Sequence, residues 1–434
     1  MSYSRRLQER FGILAGRKAL NMYDFSFSAN SLSREILASD FIAMPNLAQS
    51  DIRSQILAAA ENKADAGFNG LALETYNLRG RALYQHMTLP QDLVLRKLAR
   101  NLRILTKVKQ SNRDEIVKGL ISLLREGEDY IIFKFDIKDF YPSISRDFID
   151  QTLTTDSRFP AASYSVWRSF SAEMQAKGIR GLPPGLSISA TLSEYILRDF
   201  DKKILNLPGV YFYARYVDDM VILTTKAVDR PAFTSCVSSS LPSGLQLNPQ
   251  KSRSLPIQRT TRANPAPVDG EFDFLGYKFT ISQKHRNENR YVRNVTVDIA
   301  SKKVSKIKTK VALSLSSYTR DLDFASLEDR FKVITGNYHV YDYDKNMRRN
   351  VGIFYNYRLV DSSNAQGLHE LDAFTSKMLL SRSGRICSRL SSSLSKDQRK
   401  RLLKYSFRSS FQFKTHYHFN ANELTQLVRC WKYV

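Results

Sequence analysis

Cysteine is scarce in this chain of 434 residues, and long apolar runs are absent. The three cysteines lie far apart at Cys236, Cys387 and Cys430, without a CxxC pair, which argues against a disulfide scaffold or a cysteine-based zinc site and suits a reducing compartment. No stretch approaches the roughly 18 consecutive apolar residues of a membrane-spanning helix. The first residues also lack the apolar segment of a signal peptide. We therefore expect a cytoplasmic protein with no membrane partner.

Acidic residues are also few relative to basic ones. The chain has 66 Lys and Arg against 42 Asp and Glu, which gives a formal net charge of +24. A soluble protein this basic usually binds a polyanion, although charge alone does not separate nucleic acid from an anionic membrane surface. The remaining composition, 42% hydrophobic and 25% charged, is typical of globular proteins. The length predicts two or three domains.

Two of the few acids are adjacent in residues 213–223, "YARYVDDMVIL". Asp218 and Asp219 lie between apolar segments that are typical of a β-hairpin. Like charges in a partly dry setting repel unless a cation or a protein base neutralises them. Because side chains alternate along a strand, a turn is needed for both carboxylates to approach one ion. An isolated Asp-Asp pair is more often a solvated turn.

A third carboxylate, Asp136, ends the strand-like run "YIIFKFD", which lies within a predicted buried strand at residues 130–144. Three carboxylates at strand ends suit Mg²⁺, which takes oxygen ligands. Two such ions can activate an attacking hydroxyl and hold a leaving pyrophosphate. The pattern therefore predicts phosphoryl or nucleotidyl transfer.

Five segments between residues 135 and 279 resemble the palm motifs A to E of reverse transcriptases, in the family's order: "FDIKDFYPSI", "GLPPGLSIS", "YVDD", "GLQLNPQK" and "FLGYKF". The resemblance implies an α+β right-hand polymerase fold, with fingers, a palm with an antiparallel sheet, and an α-helical thumb followed by a C-terminal extension. The predicted boundaries are an N-terminal helical extension at 1–70, fingers at 71–129, a palm with fingers insertions at 130–280, and the thumb with the extension at 281–434.

The same resemblance assigns the catalytic metal ligands. These are Asp136, Asp218 and Asp219, with the backbone carbonyl of Ile137, and they would hold two Mg²⁺ ions, with Mn²⁺ as a substitute. Tyr141 stands where the family places a bulky sugar gate that excludes a 2′-hydroxyl and favours dNTPs. The alternative for Tyr141 is a core tyrosine.

Other nucleotide contacts are less clearly marked. Lys251 stands where the family has a lysine that protonates the leaving pyrophosphate, with a surface lysine as the alternative. In motif B, Pro184 replaces the usual glutamine, and proline lacks a backbone N–H, so the nucleotide contacts expected near Gly185 and Ser187 stay open. Arginine forks suit phosphate oxygens. The predicted triphosphate ligands are those of a basic hairpin, Arg79 and Arg81.

Further basic residues are expected to contact nucleic acid. Those on the N-terminal side of motif A are Arg96, Arg100, Arg103, Lys107, Lys109 and Arg113. Those on the C-terminal side, Lys302, Lys306 and Lys310, lie on the cationic side of a predicted amphipathic helix. A solvated helix face is the alternative for the 96–103 and 302–310 groups.

Two features of the last hundred residues stand outside these motifs. Residues 336–349, "GNYHVYDYDKNMRR", mix tyrosines with basic residues, which suits stacking on unpaired bases or, alternatively, burial in a helix bundle. His416 and His418 have no second histidine pair or cysteine nearby in sequence, so the sequence does not predict a metal there.

Longer segments, "LVLRKLARNLRILTKVKQSNRDEIVKGLISLL", "ISATLSEYIL" and "ITGNYHVYDY", resemble bacterial defence-associated reverse transcriptases of the abortive-infection and unknown-group type. The subunit a of the type 3 defence system, which pairs with a second reverse transcriptase and a noncoding RNA, is the most similar class. The implied function is RNA-directed DNA polymerisation, with dNTPs added to a 3′-hydroxyl on a noncoding RNA template, in antiphage defence. Higher oligomers also belong to the partners that this resemblance implies.

Three alternatives remain at this point. One is an RNA-dependent RNA polymerase or an intron-type reverse transcriptase. A second is an untemplated or protein-primed DNA polymerase of the abortive-infection type. The third is a catalytically idle RNA-binding scaffold derived from a polymerase.

Overall fold

The computed structural model describes residues 23–68, 70–78, 81–85, 88–258, 270–282 and 293–431. These residues form a mixed α and β architecture with two apolar cores that meet at a central sheet. Alternate side chains of one strand enter different cores, with Phe133 and Phe135 on one side and Tyr130 and Ile132 on the other. The sheet edge where this strand ends is therefore held from both faces.

The N-terminal part is mainly helical from residue 23 onward, and the first 22 residues of the predicted helical extension lie outside the described residues. Its elements are α1 Ala29–Ser33, α2 Ala38–Ala43, a 3₁₀ turn Pro45–Ala48, α3 Ser50–Ala66, β1 Glu74–Leu78, β2 Arg81–Gln85, α4 Leu89–Thr106 and α5 Arg113–Leu124. Along α4, Leu95, Leu98 and Leu102 are buried at helical spacing. The predicted basic hairpin forms, with Leu78 opposite Arg81. Arg79 and the side chain of Arg81 lie outside the described residues.

The central part is built around a four-stranded antiparallel sheet of order β4-β5-β3-β6. Its elements are β3 Tyr130–Asp136, α6 Phe140–Ser143, α7 Arg146–Thr155, α8 Ala161–Ala176, α9 Ser187–Leu205, β4 Val210–Tyr216, β5 Asp219–Thr225, α10 Arg230–Ser240 and β6 Arg253–Ile257. The strand predicted to run to residue 144 was too long. The chain leaves the sheet after Asp136 and turns at Asp139, whose φ is +44°, and apolar composition does not reveal such a turn.

The C-terminal third begins with a three-stranded antiparallel sheet, β7-β8-β9, and continues mainly as helices. Its elements are β7 Gly270–Phe274, β8 Tyr277–Ser282, β9 Asn294–Ile299, α11 Ser301–Asp321, α12 Phe324–Thr335, β10 Asn337–Asp342, β11 Met347–Gly352, α13 Ile353–Asn356, α14 Gln366–Leu380, α15 Arg385–Ser393, α16 Lys396–Leu403, α17 Phe407–Gln412, β12 His416–Tyr417, α18 Ala421–Val428 and a 3₁₀ turn Arg429–Trp431. The predicted amphipathic helix is α11, which buries Val304, Val311 and Leu315.

A second small sheet interrupts the predicted all-helical thumb and extension. Strands β10 and β11 form a hairpin, and β12 pairs with β10 in parallel, with Asn337 opposite His416. The tyrosine-rich segment is therefore strand rather than part of a helix bundle, because its backbone pairs with β11 on one side and β12 on the other. In the part of the chain that the structure describes, no helix is both long and apolar enough to span a bilayer.

Candidate active site

The adjacent aspartates lie at a tight turn between β4 and β5. Val217 has a φ of +61°, a backbone conformation that a β-branched residue rarely adopts. The following residue, Asp218, lies in the turn, and Asp219 is the first residue of β5. Such strain persists only when surrounding contacts fix it. The turn thus requires a specific support.

Arg215, two residues before Val217, supplies that support. Its guanidinium donates to the Val217 carbonyl at 3.1 Å and forms ion pairs of 2.7 Å with Glu194 and 2.7 Å with Asp201. Both acids lie on α9. Burial lowers the pKa of Arg215, but the hydrogen bonds and charges of Asp201 and Glu194 outweigh this and raise the pKa above its ordinary value. The network ties the turn to the helix that follows motif B.

The three predicted catalytic aspartates converge at this edge of the central sheet. Asp136, the last residue of β3, pairs directly with Asp219 across the antiparallel ladder. The backbone N–H of Ile137 donates to the Asp218 carbonyl at 3.1 Å, which fixes the turn against the end of β3. Residues separated by more than 80 positions are thereby placed side by side.

The segment that resembles motif D is fastened to the same point. The Lys251 ammonium donates to both carboxylate oxygens of Asp136, at 2.8 and 3.0 Å. The Asn248 amide donates to the Asp136 carboxylate at 3.2 Å, and the Asn248 backbone N–H donates to the Asp136 carbonyl at 2.7 Å. Lys251 therefore lies at the aspartates, paired with Asp136. Asn248, three residues earlier in the same motif, was not singled out from the sequence.

The carboxylates of the site repel one another. Burial raises the pKa of Asp219, and the charges of Asp218 and Asp136 add to this, while Lys134 and Lys251 oppose it. Burial in turn lowers the pKa of Lys134, opposed first by Asp219. Lys134 lies on β3 two residues before Asp136 and was also missed from the sequence. The ionised form of the cluster would gain from additional positive charge.

The donor chemistry of the cluster fits a divalent cation, since carboxylate oxygens are the ligands that Mg²⁺ prefers. Within the described ranges, however, no set of three or more His, Cys, Asp or Glu side chains is arranged to hold an ion. In this conformation Lys251 occupies the Asp136 carboxylate. Metal binding would require Lys251 to leave that carboxylate, and the residues otherwise present suit the ion.

A cavity of about 950 Å³ opens beside the aspartates. Tyr141, one turn after β3, lines it together with Asp136, Asp218 and Lys251. The ring of Tyr141 is half-buried, and burial raises the pKa of its hydroxyl. The cavity is also lined by Tyr84, Arg180 and Asn248, which the sequence analysis did not single out. Among 66 basic residues and 22 tyrosines, the sequence alone does not mark Arg180 or Tyr84.

The loop that resembles motif B forms the wall of this cavity. The backbone N–H of Tyr84 in β2 donates to the Pro184 carbonyl at 3.0 Å, so Pro184 fixes the loop to the hairpin. Gly185 lies against the same strand, and a Cβ there would come within 2.6 Å of the Tyr84 carbonyl oxygen. Gly185 and Ser187 face a separate cavity of about 460 Å³ and do not line the one beside the aspartates.

Gly181 shows how closely the loop packs on the motif A turn. Its φ is +57°, and a Cβ would lie 2.3 Å from the Tyr141 carbonyl oxygen. Gly178 has a similar φ of +67° but no atom within 4 Å of the corresponding position. We expect Gly178→Ala to lower the free energy of unfolding by about 1–2 kcal/mol through backbone conformation alone. Gly181→Ala should cost at least about twice as much.

Urea denaturation of both alanine variants measures this difference. Because the two glycines share the left-handed conformation, the excess cost of Gly181→Ala reports the close approach of the two loops. Equal losses of stability in both variants would contradict this packing.

A third cavity, of about 610 Å³, lies on the other side of the turn and shares Asp218 with the first. Arg113 lines it and donates to the carbonyls of Leu275 at 2.9 Å and Asn356 at 3.1 Å. Lys303 at the start of α11 also lines it. The aspartate turn thus separates two cavities, each with basic side chains.

The remaining predicted basic residues are scattered. The Arg96 side chain is largely buried and pairs with Asp40 at 2.6 Å and Asp92 at 2.5 Å. Its positive charge is therefore neutralised by acids of the N-terminal helices. Arg100 pairs with Glu35 at 3.1 Å. The others lie on the surface or are half-buried along α4, its C-terminal end and α11: Arg103, Lys107, Lys109, Lys302, Lys306 and Lys310.

Comparisons with known proteins agree with this site. Residues 92–279 match the family described as reverse transcriptase (RNA-dependent DNA polymerase), a segment that contains all three aspartates. No curated protein matches the chain.

Among solved structures, an apo telomerase from Candida tropicalis, truncated from its C-terminal domain, aligns at 13% identity with a TM-score of 0.35, covering 48% of this chain and 53% of that one. Telomerase from Candida albicans, in complex with a TWJ fragment of telomeric RNA, aligns at 13% identity with a TM-score of 0.30, covering 79% and 57%. The chain thus spans little more than half the length of either. The family match, by contrast, identifies residues 92–279 as a reverse-transcriptase domain, that is, a domain of the RNA-directed DNA polymerase (nucleotidyltransferase) class.

Proposed function

We propose that this enzyme extends a primer 3′-hydroxyl with dNTPs on a noncoding RNA template, through a right-hand polymerase fold. The observation that carries this proposal is the direct pairing of Asp136 with Asp219, with Asp218 in the turn beside them. The subdomains would follow the predicted boundaries, with fingers at 71–129, a palm at 130–280 and a thumb with its extension from 281.

The reverse transcriptase family generally uses divalent metals, and Asp136, Asp218 and Asp219, with the Ile137 carbonyl, are the residues that would hold them. Ions bound there supply Lewis-acid activation of the attacking hydroxyl and charge neutralisation of the leaving pyrophosphate. When Lys251 leaves Asp136, its ammonium can donate a proton to pyrophosphate within the same cavity. Asn248 would keep Asp136 oriented during that exchange.

The two cavities on either side of the turn suit the two reactants. The larger one carries Arg180, Lys251 and Tyr141, and we assign it to the incoming dNTP, whose triphosphate needs basic partners. The other carries Arg113 and Lys303, and we assign it to the primer end. Reaction would then occur at Asp218, which both cavities share.

Tyr141 is proposed to select the sugar. Replacing it by alanine removes the ring that would meet a 2′-hydroxyl, so we expect the preference for dNTP over NTP to fall by at least about tenfold. Tyr141→Phe keeps the ring and should keep the preference. Single-nucleotide incorporation kinetics measure both variants. If Tyr141→Ala lowered the melting temperature while leaving sugar discrimination unchanged, Tyr141 would be only a core residue.

The substrate class can be tested directly with the wild-type enzyme. A labelled primer on an RNA template is supplied with Mg²⁺ and either dNTPs or NTPs. We expect extension with dNTPs and much less with NTPs, whereas a preference for NTPs would identify an RNA polymerase. Extension without any template would favour untemplated synthesis. This alternative should be excluded first, because Pro184 replaces the glutamine of motif B and its loop is fixed to β2.

The biological role we propose is antiphage defence in the bacterial cytoplasm, with a second reverse transcriptase subunit as partner. It rests on the sequence resemblance alone. Phage plating on cells that carry the native locus, with the wild-type gene or with Asp218→Ala, tests it. Protection that survives the substitution would favour the scaffold alternative over an enzyme whose DNA product is needed.

A further inference from the structure

A fourth cavity, of about 380 Å³, lies in the C-terminal third and shares no lining residue with the three described above. The β10–β11 hairpin provides Tyr341, Tyr343 and Arg348 on one side of it. His418 and Phe419, which precede α18, form the other side. The proposed polymerase reaction uses none of these residues.

The hairpin exposes aromatic surface at this cavity. Tyr341 and Tyr343 are 42% and 46% exposed, and their rings meet edge to face with centroids 4.8 Å apart. The Tyr341 hydroxyl donates to the Asn346 side chain, which holds the pair in place. Neighbouring Val340 and Met347 are also exposed. Large apolar side chains that are exposed together usually mark a binding surface.

Two histidines line the cavity, and a third lies behind them. His339 and His418 line it, and the His416 ring lies 4.1 Å from His339 and 5.9 Å from His418, centroid to centroid. Nδ1 of His339 and both ring nitrogens of His416 are buried without a hydrogen-bond partner in the described part of the chain. Buried polar atoms of this kind usually have a partner, and a ligand is one way to supply it.

The histidines that line the cavity suit an organic ligand. The ring centroids of His339 and His418 lie 6.1 Å apart, and Nδ1 of His339 has no hydrogen-bond partner among the described residues. A neutral imidazole offers one donor and one acceptor, which matches the edge of a nucleobase.

The charges around the hairpin favour an anion. Both acids of the hairpin have partners. Asp342 forms an ion pair with Arg349 at 3.5 Å, and the Asp344 carboxylate accepts a hydrogen bond from the Ser39 backbone N–H at 2.9 Å. Arg348 lines the cavity and makes no ion pair within the described ranges. A free guanidinium beside exposed aromatic rings is the combination that binds the phosphate and base of an unpaired nucleotide.

We propose that this cavity binds an unpaired segment of RNA, with a base stacked on the Tyr341–Tyr343 pair and its phosphate on Arg348. The choice of RNA over DNA rests on the proposed function, because an RNA-copying enzyme must hold RNA outside its cleft, whereas the cavity itself argues only for a single-stranded nucleic acid. The site would anchor RNA away from the aspartates.

The test measures RNA binding by the full-length protein in the absence of nucleotides. A short unstructured RNA oligonucleotide is titrated while excess primer–template duplex occupies the polymerase cleft, and ultraviolet crosslinks are mapped by mass spectrometry. We expect crosslinks in residues 337–352. Tyr341→Ala with Tyr343→Ala should weaken RNA binding about tenfold or more, since both rings on which a base would stack are removed.

Two controls make the result specific. The corresponding double phenylalanine variant keeps the rings and should bind within about twofold of wild type. Tyr211→Ala removes a tyrosine of similar exposure, 41%, from β4 and should have no effect. Unchanged affinity in the double alanine variant, or no crosslink in the hairpin, would overturn the proposal. Equal binding of a DNA oligonucleotide of the same sequence would overturn the assignment to RNA.

Primer extension on a supplied primer–template separates this proposal from the proposed function. The double alanine variant should extend such a primer at the wild-type rate, because the hairpin lies outside both cavities at the aspartates. If wild type showed no extension yet bound RNA through Tyr341 and Tyr343, the proposed function would fail and the binding site would stand.

Discussion

Replacing Asp219 by asparagine is expected to lower the rate of DNA synthesis by about 10³-fold or more, because Lewis-acid stabilisation of the transition state contributes several kcal/mol and each 1.36 kcal/mol is a factor of ten. The same change should leave the melting temperature of the metal-free protein equal or higher. Burial raises the pKa of Asp219, which means that its ionised form is unfavourable in the folded protein. Primer extension and thermal unfolding in EDTA measure the two effects.

Because Asp219→Asn should lower DNA synthesis without lowering the melting temperature, the two measurements distinguish a catalytic defect from unfolding. Asp199→Asn is the matched control, because Asp199 is 74% exposed on α9 and pairs with Arg198 and Lys202 of the same helix. It should change neither quantity measurably. Synthesis by Asp219→Asn within tenfold of wild type would remove Asp219 from the catalytic set, and a lower melting temperature would contradict the electrostatic account.

The pH dependence of stability follows from the same shift. An acid whose pKa is raised on folding binds its proton more tightly in the folded state, so its penalty is absent at low pH and grows as pH rises through the unfolded and then the folded pKa. The stabilisation of metal-free Asp219→Asn relative to wild type should accordingly be larger at pH 7 than at pH 4. If the stability difference between Asp219→Asn and wild type were the same at pH 4 and pH 7, it would contradict a raised pKa of Asp219.

Arg215→Ala should be the most destabilising substitution near the site, lowering the free energy of unfolding by about 3–5 kcal/mol. The side chain is 4% exposed and neutralises both Glu194 and Asp201 while it holds the Val217 carbonyl. Without it, two carboxylates remain partly buried with no cation, and the strained turn loses its support. Urea denaturation with two-state analysis measures the loss.

Arg198→Ala provides the comparison, since Arg198 lies on the same helix as Glu194 and Asp201, is half-buried, and pairs with the exposed Asp199 at 3.3 Å. Its cost should be about 1 kcal/mol or less. Adding Glu194→Gln and Asp201→Asn to Arg215→Met should recover part of the lost stability, because no unpaired charge then remains. A cost for Arg215→Ala as small as that of Arg198→Ala would show that the network does not support the turn.

The sequence was most informative where pattern and chemistry coincide. The apolar strand that ends at Asp136 and the hairpin around Asp218 were predictable, because buried strands and turns leave periodic signals. The family match supports the prediction of a reverse transcriptase for residues 92–279. The roles of individual site residues remain predictions.

Long-range partnerships were not predictable in the same way. Nothing in the sequence pairs Arg215 with Glu194, or Arg96 with Asp40, because charge neutralisation depends on which surfaces meet after folding. His339 joins His416 only because β10 pairs with β12, two strands far apart in the chain. Sequence spacing describes faces of single elements, whereas these contacts join separate elements.

The most direct test of the central claim uses the enzyme purified with the nucleic acid that it retains. Mg²⁺ and labelled dNTPs are added, and the product is sequenced. The account predicts DNA complementary to the retained RNA, lost after ribonuclease treatment and absent with Asp218→Ala. DNA of the same amount and sequence from Asp218→Ala, or no product from wild type on any primer–template, would contradict it.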